Sequence, residues 1–82
     1  MRDPERIQET LGLIEKLWRK DSDLRFNQLI YNLQWGYSQE NGGIGKVEEV
    51  VDKGYSRFGF DLLDLEDDSF IEYLRKQVMS EQ

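Results

Sequence analysis

The sequence contains no cysteine and no histidine, so the protein has no thiol and no imidazole side chain for catalysis or metal binding. Without cysteine it can form neither disulfides nor thiolate metal sites, so hydrophobic packing must stabilise the fold. Without histidine it lacks the commonest general base near neutral pH and the commonest metal ligand. None of the six serine and threonine residues lies in a recognisable nucleophile motif. We therefore expect a protein that is not an enzyme and needs no cofactor.

Long apolar runs are also missing. No stretch approaches the roughly 18 apolar residues that suggest a membrane-spanning helix. The charged start, Met1 to Arg6, lacks the apolar stretch of a signal peptide. We expect a soluble cytoplasmic protein that makes no membrane contact.

Basic residues are outnumbered by acidic ones. The 82 residues include 11 lysine and arginine residues and 17 aspartate and glutamate residues, which gives a net charge of −6. Most of the excess lies in residues 41–82, which contain ten acidic and five basic residues. Nucleic-acid backbones attract clustered lysine and arginine, so the composition argues against direct nucleic-acid binding. A basic protein would match the negative charge of this chain better than a nucleic acid would.

Two helices are predicted in the first half. Asp3 and Pro4, the only proline, are typical of a helix start, and Ile7, Leu11, Ile14 and Trp18 follow at helical spacing. Ser22 or Asp23 can cap a second helix that opens at Leu24, with an apolar stripe of Phe26, Leu29, Ile30, Leu33 and Tyr37. The short connection favours an antiparallel hairpin in which the two stripes pack together.

The middle of the chain is harder to assign. Residues 36–46 contain four of the seven glycines and predict a flexible loop. Val47, Val50 and Val51 have the spacing of a short third helix that Gly54 would end. Residues 55–60 alternate large with small or polar side chains, which fits either a short extended segment that lays Tyr55 or Phe58 and Phe60 on the helical hairpin, or irregular chain.

A final helix is predicted from Asp67 or Asp68 to about Met79, with Phe70, Ile71, Leu74 and Val78 on one face. The predicted fold class is therefore mostly all-α. It is a single domain over residues 1–82, built as a bundle of three to four helices with an N-terminal antiparallel hairpin and a C-terminal helix.

The acidic stretch before that helix is the first candidate site. Asp61, Asp64, Glu66, Asp67 and Asp68 offer enough oxygen atoms to attract Ca²⁺ or Mg²⁺, but their spacing does not fit an EF-hand. Acids also favour a helix N-terminus because the free N–H groups and the dipole stabilise them. We predict no metal site, and assign the residues 64 and 66–68 to partner binding.

Aromatic residues around the glycine-rich loop are the second candidate site. Trp35, Tyr37, Tyr55 and Phe58 flank this loop, and aromatic side chains often anchor protein partners. Core packing is the alternative role for most of them. A separate hypothesis concerns Arg25, whose guanidinium could pair with Asp64, Glu66, Asp67 or Asp68 and hold the acidic stretch against the helical hairpin.

The order of these motifs resembles a family of small bacterial and phage proteins of unknown function, the DUF1040 or YihD-like type. The resemblance rests on R-x-P-x-R-I at residues 2–7, then Trp18, then D-L-R-F-N-Q-L-I at 23–30, and E-D-D-S-F-I-E-Y-L at 66–74. It departs from the pattern at Ser22, where the family usually has proline, and at Phe26, where it usually has leucine. The resemblance implies a compact helical domain of bacterial or phage origin and supplies no functional residues.

The sequence is best interpreted as a non-catalytic protein–protein interaction module that is a monomer or weak homo-oligomer. Its protein partner is unknown, and the net charge favours a basic one. An alternative is a phage or prophage inhibitor whose carboxylates imitate a nucleic-acid backbone in the groove of a basic host protein. Carboxylate-dependent metal hydrolysis at residues 61–68 and a structural role in a larger particle are further alternatives.

Overall fold

The computed structural model describes residues 2–80, apart from the side chain of Val51. Its elements in chain order are α1 (Glu5–Lys20), α2 (Phe26–Glu40), β1 (Lys46–Asp52), β2 (Tyr55–Phe60) and α3 (Asp67–Ser80). The two strands pair as an antiparallel hairpin. The all-α prediction is therefore wrong, since the domain combines three helices with a two-stranded sheet.

The predicted third helix is strand β1. The valines have helical spacing, but β-branched side chains also favour strands. In addition, an isolated helix of seven residues is marginally stable in water. Gly54 ends no helix but forms the hairpin turn, where its φ of 75° suits a residue without a Cβ. The hairpin register pairs Lys46 with Phe60 and Val50 with Ser56, and an irregularity follows Val50.

The helix boundaries largely follow their sequence signals. α1 begins directly after Asp3 and Pro4, and the Asp3 carboxylate accepts a hydrogen bond from the Glu5 N–H at 3.0 Å. α2 begins at Phe26, after the predicted start at Leu24, and its N-cap is Arg25, so the predicted caps Ser22 and Asp23 are wrong. The helix continues to Glu40, so the first part of the predicted 36–46 loop is helical. The turn between α2 and β1 covers only residues 41–45.

α1 and α3 lie side by side and parallel. Their first turns are joined by an ion pair between Arg6 and Asp67, and near their ends the Lys20 ammonium donates to the Val78 carbonyl at 3.3 Å. α2 runs in the opposite direction, because the Tyr37 ring near its end contacts Phe70 near the start of α3. The buried core cluster lies where the three helices meet and comprises Leu17, Leu29, Leu33, Tyr37, Tyr73 and Leu74.

The predicted packing between α1 and α2 is only partly correct. At the connection, the Trp18 and Phe26 rings lie 5.5 Å apart, and the Trp18 indole donates to the Leu24 carbonyl at 2.8 Å. At the other end of the stripe, Ile7 and Leu11 remain 53% and 61% exposed. The α1 helix packs chiefly on α3, which sequence spacing cannot foresee.

A close approach between α2 and α3 occurs at Gly36. A Cβ atom at this position would lie 2.0 Å from the Tyr73 hydroxyl oxygen and 3.1 Å from the adjoining ring carbon. The other interior helical glycine, Gly12, has no atom within 4 Å of such a Cβ. The two glycines therefore have different roles, because only at Gly36 does a neighbouring side chain, that of Tyr73, occupy the space of a Cβ atom.

Replacing Gly36 with alanine should lower the free energy of unfolding by about 1–3 kcal/mol, because Tyr73 has to move from a packed site. Gly12→Ala is the matched control and should raise stability by up to about 1 kcal/mol through helix propensity. Urea denaturation of both variants measures the difference. Equal effects at the two positions would show that the Tyr73 contact does not constrain the fold.

Stability should also fall at alkaline pH because of Tyr73. Burial, and secondarily the charge of Glu40, raises the pKa of the Tyr73 hydroxyl above its usual value near 10. Above the unfolded-state pKa the unfolded chain releases this proton while the folded protein retains it, so stability present below about pH 10 is lost as pH rises further. Chemical denaturation between pH 8 and 11 should show that the free energy of unfolding falls less steeply with pH in Tyr73→Phe than in the parent protein. Identical pH dependences in the two proteins would contradict this assignment.

Candidate functional site

The base of the β-hairpin is fixed to the outer face of α2 by aromatic packing. The Phe60 ring lies 5.4 Å from the Tyr31 ring and 5.9 Å from the Trp35 ring. The Tyr31 hydroxyl also donates to the Phe58 carbonyl at 3.2 Å. These contacts orient the hairpin relative to the helices and hold its base on α2.

A lysine completes this aromatic base. The Lys46 ammonium lies 4.2 Å from the centroid of the Phe58 ring and 5.3 Å from that of Trp35. Such cation–π contacts contribute about 0.5–1 kcal/mol at exposed sites. Lys46 therefore ties the first residue of β1 to both the other strand and α2.

The distal part of the hairpin exposes apolar side chains. Val50 is 76% exposed and Tyr55 is 73% exposed, while Val47, nearer the base, is 49% exposed. Opposite charges also pair across this part, with Glu49 and Arg57 in register and 3.6 Å apart. The hairpin therefore combines a base that packs on α2 with apolar side chains that are open to solvent at its distal part.

A second surface feature is a charged cleft between the first turns of α1 and α3, with a volume of about 590 Å³. Arg2 binds Glu66 at 2.9 Å, Arg6 pairs with Asp67, and Arg75 binds Glu9 at 2.6 Å. The hydrogen bond to Glu66, with its charge, raises the pKa of the Arg2 guanidinium above its usual value. Three arginines thus offset part of the acidic charge in the cleft.

The eight residues predicted to bind a partner do not form one site. Trp35 and Phe58 both contact the Lys46 ammonium at the base of the hairpin, and Tyr55 lies at its tip. Tyr37 is buried in the core, where its ring lies 5.6 Å from both Phe70 and Tyr73. The four acids lie elsewhere: Asp64 is exposed before α3, and the cleft is lined by Glu66, Asp67 and Asp68.

Sequence reasoning missed most of the residues that hold the hairpin. Tyr31 and Lys46 were assigned no role, and Val50 was assigned to a helix. The extended alternative for residues 55–60, with Phe60 packed on the helical hairpin, is confirmed. A signal was present, because Lys53 and Gly54 form a two-residue turn between a valine-rich run and alternating aromatic residues.

The Arg25 hypothesis is wrong in its choice of arginine. Arg25 immediately precedes α2, and its backbone N–H donates to the Gln28 side chain at 3.0 Å. The acidic stretch is instead held by Arg2 and Arg6. The structure therefore joins the R-x-P-x-R segment at residues 2–6 to the E-D-D segment at 66–68.

Over residues 2–80, the structure contains no group of three or more aspartate or glutamate residues arranged to hold a metal ion. In the same range, no helix has the length and apolar character needed to cross a membrane.

Comparison with known proteins gave no match: no protein-family model, no curated protein and no solved structure is significantly similar to this chain. The resemblance to the DUF1040 family accordingly stays a prediction.

The ion pairs of the cleft should contribute little to stability. The Arg6 and Asp67 side chains are 29% and 50% exposed, so solvent screens their attraction. A double-mutant cycle with Arg6→Gln and Asp67→Asn should give a coupling of about 0.5 kcal/mol at low salt, falling towards zero in 1 M NaCl. The control is Arg19→Gln, which removes only a pair with Glu15 within α1. A salt-independent coupling of several kcal/mol would instead make this pair a structural requirement.

Proposed function

We propose that this protein is a non-catalytic interaction module of the cytoplasm that binds another protein through its β-hairpin. The observation that carries the proposal is the exposure of Val50 and Tyr55 at the tip of a hairpin whose base is fixed on α2. Exposed apolar groups on a rigid support favour binding, because little conformational entropy is lost on association.

The shape of the domain supports this role. Its accessible surface is 6589 Å², compared with roughly 5,200 Å² expected for a compact protein of this mass. Its principal extents of 45 × 34 × 19 Å describe an elongated, flat molecule. The excess surface provides area that a partner can bury.

Charge favours a basic partner. The chain carries −6 overall, and the hairpin strand β1 contains three acids and one lysine. Attraction between oppositely charged surfaces accelerates association and suppresses unsuitable partners. The hairpin therefore combines apolar contacts for affinity with acidic side chains for selectivity.

The charged cleft supports partner binding less well. Its carboxylates at Glu9, Glu66 and Asp67 already pair with arginines of the same chain. A protein that imitates a nucleic-acid backbone needs dense negative charge that its own cations do not offset. We therefore place the partner at the hairpin and not at the cleft.

The proposal predicts that Val50→Ser combined with Tyr55→Ala will reduce partner binding without unfolding the domain. Each truncation removes an exposed apolar group, so thermal stability should change little, whereas binding should weaken about tenfold or more. A tagged pull-down from bacterial lysate at low and high salt, read by mass spectrometry, identifies the partner, and titration of that purified partner quantifies the loss.

Leu63→Ser is the matched control, because Leu63 is 92% exposed but lies outside the hairpin. It should leave binding unchanged. If Glu66→Gln with Asp68→Asn abolishes capture while the hairpin variant retains it, the cleft is the binding site and the proposal is wrong.

A further inference from the structure

The outer edge of strand β1 has unpaired backbone groups, which can be identified from the hairpin register. The Asp61 N–H donates to the Gly45 carbonyl at 2.7 Å, which extends the ladder by one pair beyond the strands. Hydrogen-bonded and non-hydrogen-bonded pairs alternate in an antiparallel ladder. Counting from Gly45, the backbone groups of Val47 and Glu49 face β2, and those of Glu48 and Val50 point away from it.

Two other contacts agree with this assignment. The Lys46 N–H donates to Gly43 at 3.2 Å, outside the ladder, as expected for an outward residue of β1. On the other edge, the Phe58 carbonyl accepts the hydrogen bond from Tyr31. Phe58 pairs with Glu48, so both residues of this pair direct their backbone groups outward.

The two edges of the hairpin therefore differ. The β2 edge lies towards α2 and is covered at Phe58 by the Tyr31 hydroxyl. At the β1 edge, no hydrogen bond within residues 2–80 reaches the outward N–H or C=O groups of Glu48 and Val50. An exposed strand edge of this kind can accept another extended segment by strand addition.

The side chains of β1 indicate what that segment carries. On one face Glu48 lies beside Val50, and on the other Val47 lies beside Glu49, because side chains alternate along a strand. Opposite-charge and apolar pairs directly across two strands are stabilising, whereas like charges are destabilising. An added strand that reads apolar, basic, basic, apolar satisfies all four positions from Val47 to Val50.

Charge also disfavours a second copy of the chain as the occupant. Two copies would each bring a net charge of −6, and pairing two whole β1 strands antiparallel would place Glu49 opposite Glu49. Acidic side chains on an edge strand protect against self-pairing. The same side chains attract a basic segment.

We propose that the β1 edge binds an extended peptide segment of a basic partner, with the pattern apolar, basic, basic, apolar, as a third strand of the sheet. This inference rests on the proposed function and specifies the partner's chemistry and mode of binding. Backbone hydrogen bonds to Glu48 and Val50 supply a sequence-independent part of the affinity, and the side-chain pairs supply the selectivity.

The test uses a fluorescein-labelled decapeptide with the central sequence VKRV between serine and threonine flanks, and a matched peptide with VEEV. Fluorescence anisotropy with the whole protein should show binding of VKRV and at least tenfold weaker binding of VEEV. Hydrogen exchange should slow at the Glu48 and Val50 amides when VKRV is bound. Exchanging both acids, in Glu48→Lys with Glu49→Lys, should reverse the preference between the peptides.

Two proline variants separate edge pairing from other binding modes. Val50→Pro removes an outward N–H of β1 without removing a ladder hydrogen bond, and should weaken VKRV binding about tenfold or more. Ser56→Pro makes the equivalent change at the same rung on the β2 edge and should leave binding unchanged. Circular dichroism and thermal unfolding establish that both variants are folded.

The inference is overturned if VKRV does not bind at millimolar concentration, or if both proline variants affect binding equally. It is also overturned if the protein forms a dimer in sedimentation that Val50→Pro disrupts, because the occupant is then a second copy. A purified partner whose binding is weakened by Val50→Ser with Tyr55→Ala, but which does not compete with VKRV, overturns strand addition while leaving the proposed function intact. Failure to isolate any partner counts against the proposed function, whereas strand addition is decided by the peptide measurements.

Discussion

The contact between Tyr73 and Gly36 is the constraint on which the arrangement of helices depends. The missing side chain at Gly36 leaves room for the Tyr73 hydroxyl beside α2, and Leu74, the next residue of α3, is completely buried. The Tyr73 ring also packs edge-on against Tyr37, so the same residue closes the core on two sides. In a domain with no disulfide, this packing must stabilise the fold.

α2 has the central position because it is apolar on two faces. Leu29, Leu33 and Tyr37 repeat at four-residue intervals and line the core. Tyr31 and Trp35 share the same interval but are offset by two residues, which places them on the opposite side of the helix, where they receive the hairpin. One helix thus connects the helical core to the element that we propose binds the partner.

Charge is distributed differently at the two ends of this arrangement. At the cleft, arginines from the start of the chain pair with the acids that precede and begin α3, and these exposed pairs link the first turns of two parallel helices. On the hairpin, Glu49 pairs with Arg57, whereas Glu48 lies opposite the aromatic ring of Phe58. Acidic side chains at the cleft are therefore already paired with arginines, whereas Glu48 on the hairpin has no ion-pair partner within residues 2–80.

Local sequence determined where α1 and α3 begin and which stripes are apolar, because capping residues and helical periodicity act within a few residues. Asp3, Pro4 and Asp67 correctly located the starts of α1 and α3. The valine run before Gly54 was compatible with both helix and strand, and pairing with β2 determines that it is a strand. Long-range packing also decided that α1 lies chiefly on α3, that Tyr37 is buried while Tyr55 is exposed, and that Arg2 and Arg6 hold the acidic segment. These outcomes depend on contacts between residues far apart in the chain, and such contacts exist only once the tertiary structure has formed.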